Sequence, residues 1–493
     1  MTIPGVVIVG GAHGTLALAR SLGALHVPVH YITHDSPLPG WSRFVKNTIR
    51  WSGPHDAGAM AFLRDMAEKH HLKGCLLVPS GDGEVQLVSQ HRDELSTFYK
   101  IVLPDWSSLQ WLCEKPLLYK RAAELGVSFP RTYAMTSSDD ADALDVTFPV
   151  ILKPNMGGGD TAISRAKVIR ADDRQALKAA FAAASGEIGA GNVVVQELIP
   201  GGGESQFSYA ALWRDGEPVA EFTARRLRQY PVDFGYTSTC VEVVDNPQAI
   251  DAARKILKSA GHSGLVEVEF KRDGRDGSLK LLDVNPRPWS WFGLCSAAGI
   301  DLGALLWQVA NDTPTGQTLD VRQGVSWSYL VRDAIAALTL NRRGQAGIGD
   351  YVASLRTIRR LGGFCGERSF AGPYRPAAHG LESHQKTGSA RFEVAVIGNG
   401  VFAVGKTLSE IWGHKGGAGG SFPAGGSCGF SGSCRAWRDL HAPPCSSGRG
   451  SVSFCAECTL VDHATISGRG DRGGARMWSR SRSSARSAGP ARR

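Results

Sequence analysis

Two runs that alternate apolar and acidic residues constrain this chain more tightly than any other feature. In Val266–Phe270 (VEVEF), Glu267 and Glu269 share one face of a strand, while Val266, Val268 and Phe270 take the other. In Leu279–Asn285 (LKLLDVN), the same period of two puts Asp283 and Asn285 on a face with Leu281. A hairpin whose turn centres on Asp276 sets Glu269 directly opposite Asp283, and Glu267 opposite Asn285. Opposed carboxylates about 5 Å apart repel and destabilise a sheet unless a cation lies between them. Two carboxylates and an amide oxygen make a hard-oxygen set suited to Mg²⁺ carrying nucleotide phosphates. The competing reading is a solvated acidic edge balanced by Lys271 and Lys280.

The chain around this hairpin changes rhythm several times. Its 493 residues leave room for roughly two to four domains of about 100–200 residues each. Residues 1–110 alternate apolar strands (VVIVGG, VPVHYIT, GCLLVPS) with helical stretches, the pattern of an open parallel α/β sheet. Gly10, Gly11 and Gly14 look like a loosened dinucleotide turn, or a packing turn at a strand end. Residues 111–312 mix helices with antiparallel hairpins, as α+β domains do, and TAISRAKVI reads as a strand. Residues 313–365 read as a helical extension. Residues 366–493 form a tail whose apolar periodicity fades, with disorder expected from about residue 414.

Charge and cysteine follow the same division. The net charge is +9, but residues 414–493 hold eleven Arg and one Lys against four acids, leaving the remainder almost neutral at +1. A nucleic-acid surface is therefore not expected in the folded body. No apolar run approaches the ~18–20 residues of a membrane span, and Cys75, Cys113, Cys240, Cys295 and Cys365 are scattered like free thiols. A cytoplasmic protein is expected. Two further motifs compete for a function. Gly400–Thr407 spells a P-loop around Lys406, but bulky residues fill its cradle and no strand ending in Asp follows. Cys455-Ala-Glu-Cys458 has no second pair at zinc-site spacing.

Three other elements bear on phosphate and nucleoside chemistry. Pro154–Asp160 (PNMGGGD) follows a strand that ends in Lys153; consecutive glycines let backbone N–H groups converge on phosphate, which a Lys at the strand end neutralises. The strand VVVQELI exposes backbone donors and acceptors at Glu197 and Leu198, suited to an adenine edge. Glu204, seven residues beyond Glu197 across a Gly bend, is placed for ribose hydroxyls. Arg225 and Arg226 are candidates for a substrate carboxylate.

In order, the chain presents a Glu114–Gly126 helix (EKPLLYKRAAELG), FPVILKP at Phe148–Pro154, the Gly-rich loop, QELIPGGGE and finally VEF with LDVNPR ending at Arg287. Over roughly residues 1–360 this order resembles the ATP-grasp enzymes. It is similar to the carbamoyl-phosphate synthetase large chain and biotin carboxylase group, and to the ATP-dependent carboligases that include D-aspartate ligases. The resemblance implies an ATP-grasp fold preceded by a Rossmann-like domain, and a ligase that activates a carboxylate as an acyl-phosphate for attack by an amine. The class alternative is an ATP-binding regulatory protein with the same fold.

By position, the resemblance implies that Lys115 and Lys153 contact ATP phosphates, together with Gly157, Gly158 and Gly159 of the loop. It also implies that Glu197 and Leu198 hold adenine and Glu204 the ribose. Glu269, Asp283 and Asn285 would bind Mg²⁺ or Mn²⁺, and Arg287 with Lys153 would act on the transferring phosphoryl group. Two positions depart from the family's habit: Asp283 stands where Glu is usual, and Glu114 where Asp is common.

A tail with so little periodic apolar surface cannot offset ordering costs of about 1–2 kcal/mol per residue. Truncation near Gly380 is therefore expected to leave melting temperature and ATP binding unchanged and to abolish salt-sensitive adsorption to polyanions. Unfolding of the truncated protein, read by thermal melts, would overturn that division.

Overall fold

Two kinds of strand pattern build two kinds of sheet. In a computed structural model of the chain, the described residues are 4–157, 161–234, 237–313 and 320–362, all within one compact unit, Met1–Lys406. The tail, the Lys406 motif, the Cys455–Cys458 pair, and Gly158 and Gly159 of the phosphate-loop reading lie outside them.

Near-continuous apolar runs give a parallel sheet of β1 (Val6–Val9), β2 (Val29–Thr33), β3 (Val45–Arg50) and β4 (Leu76–Pro79), in the order β3-β2-β1-β4. β1 and β4 are buried throughout, as expected of strands covered on both faces. The polar β3, VKNTIR, lacks that pattern and was not expected from the sequence. Gly10 and Gly11 adopt left-handed backbone at the end of β1, and a Cβ on Gly14 would lie 2.4 Å from the Trp289 carbonyl. Gly14 is thus a close-packing position between the first helix (His13–Ala24) and the segment after Arg287.

A small antiparallel sheet follows: β5 (Thr132–Tyr133), β6 (Val150–Pro154), β7 (Ile169–Ala171) and β8 (Val193–Glu197), in the order β5-β8-β6-β7. Its core is its own, with Val150, Leu152 and Val195 packed on Leu177 and Phe181 of the helix Arg174–Ile188. The expected single strand TAISRAKVI is instead a short helix, Ala162–Ala166, capped by the Thr161 side chain, then β7. The cap satisfies the Ser164 N–H that a helix start leaves open.

The large sheet has seven strands: β9 (Gln206–Arg214), β10 (Glu217–Tyr230), β11 (Thr237–Val243), β12 (Gly264–Arg272), β13 (Leu279–Asn285), β14 (Ser326–Ser328) and β15 (Ile358–Leu361). They run β13-β12-β9-β10-β11-β14-β15, antiparallel except for the β14–β15 pair. On one face Tyr209, Val266, Val268 and Phe270 bury against Leu112, Leu118 and Ile256; on the other, Leu212, Phe222 and Val241 meet Leu18, Trp289, Trp291 and Leu305. Residues 313–360 are not purely helical as expected, because Trp327 and its neighbours extend this sheet as β14. The helix Leu330–Arg342 is tied to it by Arg228, which donates to both carboxylate oxygens of the fully buried Asp333 at 2.8 Å.

His262, just before β12, is completely buried. Desolvation pushes its imidazole pKa down from 6.5 to about 3. The unfolded chain therefore takes up a proton that the folded one refuses, so this contribution is intact above pH 6.5 and is lost as the pH falls below it. His262→Leu is expected to flatten the drop in melting temperature between pH 7 and pH 5. An undiminished drop would show that other groups govern acid sensitivity.

Candidate active site

The register derived from the sequence is present at the acidic positions: Glu269 pairs with Asp283 and Glu267 with Asn285. It arises differently from the simple alternation. Phe270 pairs with Leu281, so Leu282 is an extra residue, and a β-bulge turns Leu281 into the core with Phe270 and Val268. Leu281 therefore does not share the face of Asp283, as period-two counting expected. The bulge is what lets an apolar core contact and an acidic cross-strand pair follow one another on β13.

Cations answer these acids. Lys115, at the start of the helix Lys115–Glu124, is 6% exposed in its side chain and lies 3.2 Å from Asp283 Oδ2. Its ammonium also donates to the Asn155 carbonyl at 3.3 Å. Arg226 on β10 lies 3.7 Å from Glu269 Oε2, at 10% side-chain exposure. Arg287 donates through Nε to Asp82 and through Nη2 to Asn285 Oδ1 at 3.1 Å. Lys153 ends the Val150–Lys153 run of β6; burial pushes its pKa down to about 8, Lys115 adds to that fall, and Asp283 and Glu269 oppose it. No hydrogen bond or ion pair holds the Lys153 ammonium among the described residues.

Glu267 differs from its strand neighbour. It is 3% exposed and accepts from Ser208 Oγ at 3.0 Å, from Trp291 Nε1 at 2.9 Å and from Asn285 Nδ2 at 3.3 Å. Burial raises its pKa, and Glu269 adds to the rise. Glu267 thus buttresses the amide of Asn285, while Glu269, Asp283 and Asn285 Oδ1 form the hard-oxygen set. Among the described residues no three His, Cys, Asp or Glu side chains gather as a metal cluster. The hairpin offers two carboxylates and an amide, a donor set that fits Mg²⁺.

The remaining expected positions are more dispersed. The Glu197 carboxylate accepts from the Arg131 N–H at 2.9 Å and from Arg275 at 2.6 Å, and the Leu198 N–H donates to the Pro149 carbonyl at 3.3 Å. Glu204 accepts from the Gly202 N–H at 3.0 Å and lies near Lys271. Arg225 pairs with Glu242 at 3.2 Å on β11, so of the two arginines the fold brings Arg226 to the acidic hairpin. Gly157 packs on the Asp82 carboxylate.

Two contributors, Asp82 and Lys167, were missed in the sequence, and Glu267, placed opposite Asn285, was given no role there. Asp82 and Glu267 meet Arg287 and Asn285, and Lys167 lies close enough for Arg287, Asp82 and Glu269 to act on its charge. Asp82 was legible in principle: it opens the helix three residues past the end of β4, and ligands in open α/β sheets gather at the carboxyl ends of strands where the order reverses.

Residues 215–332, which carry Arg226 and the whole acidic hairpin, match the family described as ATP-grasp in the biosynthetic pathway with Ter operon. The fold agrees with the L-amino acid ligase of Bacillus licheniformis at a TM-score of 0.53 and 15% identity, over 66% of this chain and 79% of that one. The biotin carboxylase domain of the Hydrogenobacter thermophilus 2-oxoglutarate carboxylase, solved with MgADP, ADP and bicarbonate, gives a TM-score of 0.51 at 14% identity. That likeness covers 66% of this chain and 74% of the domain.

The chain carries an ATP-grasp domain. Its fold is the expected one, an ATP-grasp body behind a Rossmann-like parallel sheet. In sequence it is 24% identical over 291 residues to the D-aspartate ligase of Enterococcus faecium (strain Aus0004), covering 56% of this chain and 66% of that enzyme. The chain thus spans just under two thirds of that relative's length. No helix among the described residues is long and apolar enough to cross a membrane.

Among the described residues no hydrogen bond or ion pair fixes the Lys153 ammonium, and burial holds its pKa at about 8. Near pH 8.5 it is partly deprotonated, and an arriving polyphosphate favours its charged form. Binding of the non-hydrolysable analogue AMP-PNP at that pH is expected to take up a proton, seen as a calorimetric enthalpy that varies with the buffer. Lys153→Met should remove the uptake and weaken affinity about tenfold, the effect of one lost phosphate charge. Buffer-independent enthalpies in the unaltered protein would refute the assignment.

Proposed function

We propose that this protein is an ATP- and Mg²⁺-dependent ligase that activates a small-molecule carboxylate as an acyl-phosphate for attack by an amine. The observation that carries the reading is the pairing of Glu269 with Asp283 beside Asn285, ringed by Lys115, Lys153, Arg226 and Arg287. A cross-strand carboxylate pair is unfavourable unless cations answer it, and here the cations are also those that phosphoryl transfer requires.

Glu269, Asp283 and Asn285 would hold the metal, which when bound supplies Lewis-acid neutralisation of phosphate oxygens. Lys115 and Lys153 bind and orient the polyphosphate from the two sides of the cleft, with the Gly157 end of the loop next to them. Glu197 and Leu198 hold adenine by their backbone and Glu204 the ribose. Arg287 stabilises charge on the transferring group, while a carboxylate oxygen of the substrate forms the new P–O bond and the bond to ADP breaks. The amine nitrogen then attacks the acyl carbon, inorganic phosphate leaves, and the nitrogen gives up a proton. Arg226 is the substrate-carboxylate candidate that the geometry favours, and Arg225 the second. Such chemistry needs no protein nucleophile. The enzyme works in the cytoplasm, where ATP is abundant and its scattered thiols stay reduced.

Carboxylate-dependent ADP release from the purified protein, screened over carboxylate–amine pairs, tests the reading; release that ignores every added carboxylate would sink it. Asp283→Asn is expected to keep the fold and lower turnover about 10- to 100-fold at limiting Mg²⁺, because a neutral amide cannot offset the cation. Full activity of that variant at limiting Mg²⁺ would remove the hairpin from the mechanism.

A further inference from the structure

The acid that grips Arg287 belongs to a different sheet system from the arginine itself. Arg287 follows β13 of the large sheet; Asp82 opens the helix Asp82–Gln90 three residues past the end of β4 of the parallel sheet. The two form an ion pair through Arg287 Nε, at side-chain exposures of 19% and 24%. The second anchor, Arg287 Nη2 to Asn285 Oδ1 at 3.1 Å, comes from β13. Held at Nε and Nη2 by separate elements, a side chain with four rotatable bonds is confined to one orientation.

The Asp82 carboxylate is itself confined. A Cβ placed on Gly157 would lie 2.0 Å from Asp82 Oδ2, so the start of the glycine loop closes over the carboxylate and only glycine leaves it room. Burial opposes the Asp82 charge, yet Arg287 outweighs it, with Lys167 and Lys115 contributing. The arginine and the start of the glycine loop thus meet at one carboxylate of the parallel-sheet domain, and the arginine carries the contact on to the Asn285 amide.

We infer that Asp82 is a positioning residue: it orients the Arg287 guanidinium toward the transferring phosphoryl group and makes that orientation depend on the parallel-sheet domain. The inference rests on the ligase reading for the role of Arg287, but the Asp82–Arg287 contact can be tested without it. Removing one partner of a partly buried ion pair frees the other to move, and small misplacements of a transition-state group cost large factors in rate.

Asp82→Asn keeps the shape and removes the charge. The first readout is labelling of the full-length protein with an arginine-selective dicarbonyl, followed site by site by mass spectrometry, with the exposed Arg254 as internal reference. Asp82→Asn is expected to speed labelling of Arg287 at least fivefold and leave Arg254 unchanged. Equal Arg287 labelling in both proteins would overturn the inference. Labelling that rises equally at Arg254 would also overturn it, by revealing general loosening.

The second readout is a double-mutant cycle on ADP release. Asp82→Asn alone should lower kcat about 10- to 100-fold with AMP-PNP affinity within twofold. In an Arg287→Ala background it should lower kcat no further. An undiminished effect in that background would show that Asp82 acts by another route and would refute the positioning role. If the unaltered protein releases no ADP with any carboxylate, the ligase reading fails, and the labelling result still decides whether Asp82 holds Arg287.

Discussion

The opposition of Glu269 and Asp283 across one pair of antiparallel strands is the constraint around which the surrounding structure is arranged. Like charges directly opposed in a sheet are unfavourable, and here they are also half-buried, which makes their repulsion harder for water to screen. The protein answers with cations from three other elements: Lys115 from a helix start, Arg226 from β10 and Lys153 from the small sheet. Each was drawn from a different part of the chain, so the hairpin organises the tertiary structure as much as it is positioned by it.

The cleft itself follows from how apolar residues are divided. The small sheet has a private core around Leu152, Val195 and Phe181, whereas the large sheet shares its two cores with the helices and strands of the parallel-sheet domain. The small sheet meets its neighbour through Val194, which packs into the larger core, and through polar contacts. Tyr119 is one such contact, its hydroxyl donating to the Leu282 carbonyl on β13 at 2.9 Å and lying 3.2 Å from Gln196 Oε1 on β8. The bulge residue Leu282 thus has a second role, turning its carbonyl toward Tyr119 while its neighbours turn toward the core and the acids.

Strands and glycines were legible wherever one rule governed them. Alternation in VEVEF located the acidic face, and the turn length set the pairing of Glu269 with Asp283. Leu281 was misplaced because a bulge breaks the alternation without any residue type announcing it. The helix Ala162–Ala166 was missed because TAISRAKVI has enough β-branched residues for a strand, and the Thr161 cap decides otherwise. Arg226 and Arg225 were not separable by sequence; the sheet separates them, since adjacent residues on a strand face opposite ways and Glu242 takes one while Glu269 takes the other. Asp82 and Lys167 escaped because their partners lie far along the chain, and long-range ion pairs leave no periodic mark.

The charge arrangement has a further consequence for how the site meets its ligands. Asp82, Glu269 and Asp283 face Lys115, Arg226 and Arg287 in the unliganded cleft, each of these three cations directed at an acid, with Lys153 and Lys167 close by. Lys115 is the sharpest case, because its ammonium sits on the same Asp283 carboxylate that the hairpin offers a metal. Under the proposed function, a metal–nucleotide complex would bring both a competitor for Asp283 and a phosphate for Lys115, so the ion pair would be exchanged for two new ones without leaving either group bare. Either ligand alone breaks the pair and leaves one partner buried and uncompensated, which is costly. The short side chain of Asp283 sharpens that linkage. It leaves the carboxylate less freedom to serve lysine and metal at once, and so favours binding of the two ligands together.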